Sequence, residues 1–137
     1  MRSRLFVGSI LTVAVLTAGT VASGDRIVSP RQWAAVFLLE PTLIGSTIVQ
    51  GPVLFVHDDA RMARGEPCTS VQLFNPGEGP AEEITSFHCI PRARAAVRAF
   101  TITTRPNTEY GFGCVLTEYQ FAGDTEAHGV PAPVDAH

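Results

Sequence analysis

Thr69-Ser70-Val71-Gln72-Leu73-Phe74 and Glu83-Ile84-Thr85-Ser86-Phe87-His88-Cys89-Ile90, joined across Asn75-Pro76-Gly77-Glu78-Gly79-Pro80, decide the fold. Both flanks are short, rich in β-branched and aromatic residues, and bounded by turn formers, so they read as the two strands of a hairpin. The register that sets Leu73 opposite Ile84 puts both on one face and brings Cys68 directly opposite Cys89. Directly opposed positions hold Cα atoms about 4.5–5.5 Å apart, within the range a disulfide tolerates. A Cys68–Cys89 disulfide is therefore expected, and closing a loop of about 20 residues would contribute about 3 kcal/mol in the chain-entropy model. Cys114 is then the odd thiol, either buried as a small apolar residue or available for a bond to a second chain, which would make a dimer.

The same β rhythm extends in both directions. Upstream, Ala34 to Leu39 is a continuous apolar run ended by Glu40-Pro41, which suits a buried strand better than the helix that Ser29-Pro30-Arg31-Gln32 would otherwise start. Leu43 to Gln50 and Val53 to His57 read as two more strands separated by the turn dipeptide Gly51-Pro52. Asp58 to Pro67 is charged and broken by glycine and proline, which makes it a solvent-facing loop. Downstream, Pro91 to Ala99 carries Ala93, Val97 and Phe100 at helical spacing, so one short helix is expected near residues 91–99. Phe100 to Thr104 and Cys114 to Ala122 alternate again around a glycine-rich turn and form a second hairpin.

Six to seven short strands with frequent turns specify an all-β chain, a small antiparallel sandwich or barrel. Its core would draw on Val36, Leu38, Ile48, Val53, Phe55, Val71, Leu73, Ile84, Phe100, Ile102, Val115, Tyr119 and Phe121. The expected organisation is a leader at 1–23, a flexible lead-in at 24–32, one β-domain at 33–123 and a polar, partly disordered tail at 124–137.

The leader has the form of a secretory signal peptide. Arg2 and Arg4 precede an apolar run from Leu5 to Leu16, and Thr20-Val21-Ala22-Ser23 offers small residues for cleavage. That run is too short to span a bilayer, and no later stretch approaches the necessary length. The expected location is secreted or periplasmic, with no membrane span in the mature chain. All ten basic residues are arginine, a bias of GC-rich coding of the kind many bacteria show. Removing Arg2 and Arg4 leaves eight of them against 13 acidic residues, a net charge of −5 with histidines neutral, which argues against nucleic acid as a partner.

No stretch carries a catalytic signature; a G-x-S-x-G elbow and a glycine-rich phosphate loop are both missing. Two readings follow. The first is a non-enzymatic exported binding or structural module, without a cofactor, recognising a protein, a surface or a small ligand. The second is a metal-binding or metal-dependent extracytoplasmic protein that takes zinc, copper or iron through histidine and carboxylate ligands. Its candidate ligands are His57 at a strand end, His88 within a strand, and Asp124, Glu126 and His128, whose spacing by two puts them on one face of extended backbone. Asp58 and Asp59, beside His57, read as turn formers.

Overall fold

The computed structural model describes residues 31–75, 77 and 82–133. The leader, the lead-in up to residue 30, the centre of the Asn75–Pro80 turn and residues 134–137 lie outside the described residues.

The described residues form eight strands: β1 (Arg31–Ile44), β2 (Thr47–Asp58), β3 (Thr69–Leu73), β4 (Glu83–Phe87), β5 (Ile90–Ala93), β6 (Thr101–Pro106), β7 (Cys114–Gln120) and β8 (Glu126–Gly129). One short helix, α1 (Asp59–Ala63), separates β2 from β3. The strands make one strongly curled mixed sheet, a half-barrel, in the order β4-β3-β2-β1-β7-β8-β5, with β6 paired to β7. The all-β class is as expected. The named strands pair antiparallel except β1 and β7, which run parallel and pair at Thr42↔Cys114 and Leu43↔Val115.

β1 and β2 form a long hairpin that turns at Gly45-Ser46. The sequence suggested turns at Pro41 and at Gly51-Pro52 instead. Both prolines lie within strands: β1 passes Pro41 through an irregularity between Leu38 and Thr42, and Pro52 sits opposite Phe37. Proline lacks an N–H, so it is accommodated where the ladder is already interrupted or faces outward. Arg31 and Gln32, read as part of a flexible lead-in, begin β1 opposite Asp58 and His57.

The β3–β4 hairpin forms with its register one residue away from the expected one. Thr69 faces Phe87, Ser70 faces Ser86 and Val71 faces Thr85, with a bulge before Gln72↔Glu83. A one-residue slip turns every side chain to the other face. The observed register buries Phe87 and leaves His88 exposed, which removes a large aromatic ring from water in place of an imidazole. The expected Cys68–Cys89 disulfide is not formed; Cys68, Cys89 and Cys114 are all free thiols.

The helix expected near 91–99 is also absent. Ile90–Ala93 is β5 and pairs with β8, Arg92 lying opposite Ala127. A nine-residue helix is marginal by itself, whereas this segment supplies an edge for Glu126–Gly129, which the sequence placed in the tail. The one helix among the described residues starts in the loop after β2, where the Asp58 carboxylate caps the backbone N–H groups of Ala60 and Arg61.

Inward-facing rows build the core: Leu38 and Ile44 from β1, Val49, Val53 and Phe55 from β2, Val71 from β3, Phe87 from β4, Leu116 and Tyr119 from β7, and Phe121 just beyond it. Val36, Ile84, Phe100 and Ile102 pack against this cluster while half-buried. Ile48 and Leu73, expected inside, are exposed. Ile48 has the opposite parity to Val49, Val53 and Phe55 on the same strand, and Leu73 lies at the end of β3 beyond the bulge. Cys114 is buried, its Sγ 3.4 Å from Thr42 Oγ1, so it packs as a small apolar residue; a cross-link through it would require β7 to open. Trp33, Phe37 and Leu39 form an exposed apolar row on the outward face of β1. No helix among the described residues is long and apolar enough to cross a membrane.

At Gly113 φ is +74° and an added Cβ would lie 2.3 Å from the Pro41 carbonyl oxygen. At Gly111, φ is +72° with nothing within 4 Å. Gly111→Ala should therefore cost only the left-handed backbone penalty, about 1–2 kcal/mol. Gly113→Ala should cost clearly more in urea denaturation, because Pro41 must also give way and the β1–β7 junction with it.

Candidate metal centre

β2 carries His57 as its last inward side chain, next to its final residue. Val53, Phe55 and His57 alternate along one face, and His57 is 4% exposed. The chain then leaves through Asp58, turns in α1 and returns as β3, with Asp58 N–H donating to the Cys68 carbonyl at 2.9 Å. Cys68 therefore arrives beside His57, next to the His57↔Thr69 pair. At the far end of the next hairpin Cys89 follows Phe87, and its backbone N–H donates to Cys68 Sγ at 3.1 Å.

These three residues converge. One ligand atom from each of His57, Cys68 and Cys89 lies within 4.8 Å of the others, and His57 Nε2 is 3.5 Å from Cys89 Sγ. A tetrahedral zinc ion with Zn–S about 2.3 Å and Zn–N about 2.0–2.1 Å separates adjacent sulfur and nitrogen ligands by about 3.6 Å. The observed spacing is of that size. The other ring nitrogen, Nδ1, faces Asp59 Oδ1 at 3.4 Å. A carboxylate on that side favours the tautomer with its N–H on Nδ1, which would leave the Nε2 lone pair facing the Cys89 sulfur, the usual outer support of a metal-bound histidine. The amide donating to Cys68 Sγ supports a thiolate in the same way.

The second histidine, His128, sits opposite Tyr119 in the β7–β8 ladder and stacks on its ring, with centroids 4.9 Å apart. Across the curl its ring also meets His57, at 4.2 Å between centroids. β2 and β8 are separated by two strands in the sheet, so only the curl brings these imidazoles together. His128 is 2% exposed and neither ring nitrogen has a hydrogen-bond partner among the described residues. Its closest acid, Glu126 Oε1, is 4.0 Å from Nδ1. Both histidines line a cleft of about 920 Å³, together with Asp59, Arg92, Asp124 and Glu126.

Burial governs the ionisation of the cluster. It lowers the pKa of His57, with Asp59, Glu126, Asp58 and Asp124 opposing the shift. It lowers that of His128 to about 4, with His57 adding to the effect. Burial, reinforced by Cys68, pushes the Cys89 thiol up to about 12. The Tyr119 phenol, raised by burial, is hydrogen-bonded to Thr69 Oγ1. The imidazoles are thus neutral donors, while the Cys89 thiol holds its proton until a cation displaces it.

Of the residues singled out in the sequence, the structure brings His57, His128, Asp124 and Glu126 to one cleft and leaves His88 on the exposed face of the slipped hairpin. Cys68 and Cys89, assigned to a disulfide, stand instead as the two thiols beside His57. Asp59, read as a turn former, is the partner of His57 Nδ1; the capping role falls to Asp58 alone. One signal for the cluster was present in the sequence. His57 and Cys68 flank a single loop between two strands, so closing that loop sets them side by side.

The chain matches no protein-family profile, no curated protein and no solved structure.

In the metal-free protein His128 stays neutral down to about pH 4, whereas in the unfolded chain it takes a proton near its ordinary value of 6.5. Between those values the unfolded state binds more protons, so stability falls as pH drops from about 6.5 toward 4. Urea midpoints at pH 7 and pH 5 should show this loss. His128→Gln should reduce it, leaving the smaller share of the same sign from His57.

Proposed function

We propose that this chain is an extracytoplasmic β-domain that binds a transition-metal ion through His57 Nε2, Cys68 Sγ and Cys89 Sγ. The observation that carries the reading is the convergence of three donor atoms from separate elements within 4.8 Å of one another. One of them is an imidazole already oriented by a carboxylate on its far side. Two sulfurs and an imidazole form a soft to borderline donor set, which favours zinc or copper(I) over magnesium or calcium. Three protein donors leave a tetrahedral zinc ion one further position to fill.

The alternative of a partner-binding module without a metal draws on the exposed row Trp33, Phe37 and Leu39. That row faces away from His57, and the two uses do not compete.

Protein reduced and freed of metal should bind about one equivalent of cobalt(II) with sulfur-to-cobalt charge-transfer absorption, and zinc should displace it. Zinc at a thousandfold excess over its dissociation constant should stabilise the fold by about 4 kcal/mol. Cys68→Ser and Cys89→Ser should each abolish the absorption, and His57→Gln should weaken binding by tenfold or more. Circular dichroism serves as the check on folding. Wild-type protein that shows no thiolate–cobalt absorption would sink the proposal.

A further inference from the structure

The Cys68–Cys89–His57 cluster does not account for His128. This imidazole is 2% exposed, has no partner at either ring nitrogen among the described residues, and lines the cleft beside His57. Two buried ring nitrogens without a partner are costly unless something in the cleft satisfies them. The cleft also has a definite charge. Asp59, Asp124 and Glu126 line it against the single cation Arg92, so among the described lining residues the balance is negative. Imidazole and carboxylate together suit borderline divalent metals, and an acidic cleft concentrates cations ahead of binding.

The geometry relates this cleft to the sulfurs. His57 is part of its wall and turns Nδ1 toward the cleft-lining Asp59, while Nε2 on the other edge of the ring meets Cys89 Sγ. Neither cysteine lines the cleft. The His57 and His128 rings touch, so an ion held in the cleft would lie one ligand exchange from the thiols.

We infer that the cleft holds a second, weaker position for a divalent transition-metal ion, made by His128 and Glu126 with Asp124 beside them, from which the ion passes to the Cys68–Cys89–His57 cluster. This rests on the metal reading of that cluster. Passage involves ligand exchange without redox chemistry: the two thiols bind the ion as thiolates and release two protons to solvent, and His128 gives up the ion with its ring unchanged. Glu126 is exposed, so the position can exchange with bulk solution, and the contact between the His57 and His128 rings supplies the path from it to the cluster.

The test is stopped-flow mixing of reduced, metal-free full-length protein with cobalt(II), read by the growth of thiolate–cobalt absorption, with equilibrium dialysis for stoichiometry. Wild-type protein should take up one tight equivalent that carries the thiolate band and one weaker equivalent that does not. His128→Gln should remove the weaker equivalent and slow loading of the tight one by about tenfold or more, in line with the effect of electrostatic and local capture on association rates, while the final band intensity is unchanged. Glu126→Gln alters an exposed side chain with no effect on packing and should slow loading in the same direction. Glu109→Gln, a loss of the same charge at the exposed β6–β7 turn, should leave the rate as in wild type. Equal loading rates and a single equivalent in wild type, His128→Gln and Glu126→Gln would overturn the inference and leave the cluster reading intact. A His128-dependent equivalent with no thiolate band in any protein would overturn the cluster reading and the transfer step with it.

Discussion

Tyr119 is the residue on which the rest of the structure leans. It is fully buried on β7, and its ring packs against Phe55 from β2, Phe87 from β4, Phe100 ahead of β6, Phe121 beyond β7 and His128 from β8. A buried phenol needs a partner for its hydroxyl, and Tyr119 finds one in Thr69 on β3. One side chain therefore ties both wings of the sheet to its middle. A flat sheet could not satisfy it, because β3, which carries Thr69, lies three strands from β7 in strand order. The curl is the geometry in which these aromatic rings and the hydroxyl are all accommodated.

The candidate metal centre is a by-product of that curl. His57 ends the inward row that contains Phe55, and His128 is the cross-strand neighbour of Tyr119, so packing Phe55 on Tyr119 also brings the two imidazoles together. The Tyr119–Thr69 bond anchors the start of β3, which Cys68 immediately precedes, and the buried Phe87 sets the end of β4, beyond which Cys89 turns back to Cys68. Core and site share their supports. A destabilising change at Tyr119 would loosen the donor set as well as the fold.

The low polarity around the cluster also shapes its chemistry. Burial disfavours charge on His57, on His128 and on the Cys89 thiol alike in the absence of a cation. A divalent ion reverses the balance for the thiols, since two thiolates around it neutralise its charge locally. The same argument explains why Asp59, Asp124 and Glu126 stay at the more open rim, where their charges remain hydrated and still attract a cation.

The β class, both hairpins and most of the core were legible in the sequence, because strand periodicity, turn residues and parity act within a few residues of the chain. The failures share one cause. Whether Phe87 or His88 faces inward depends on what the opposite wing of the sheet offers for burial, and Tyr119 lies more than thirty residues away in the chain. Likewise Ile90–Ala93 becomes a strand and not part of a helix because β8 returns alongside it, which local propensity cannot register. The sequence alone thus determined which residues could be strands and which could be ligands. The tertiary structure decided the register, and with it that Cys68 and Cys89 stand as thiols beside His57 while His88 is left outside, because burial of distant aromatic rings outweighs the preferences of a single hairpin.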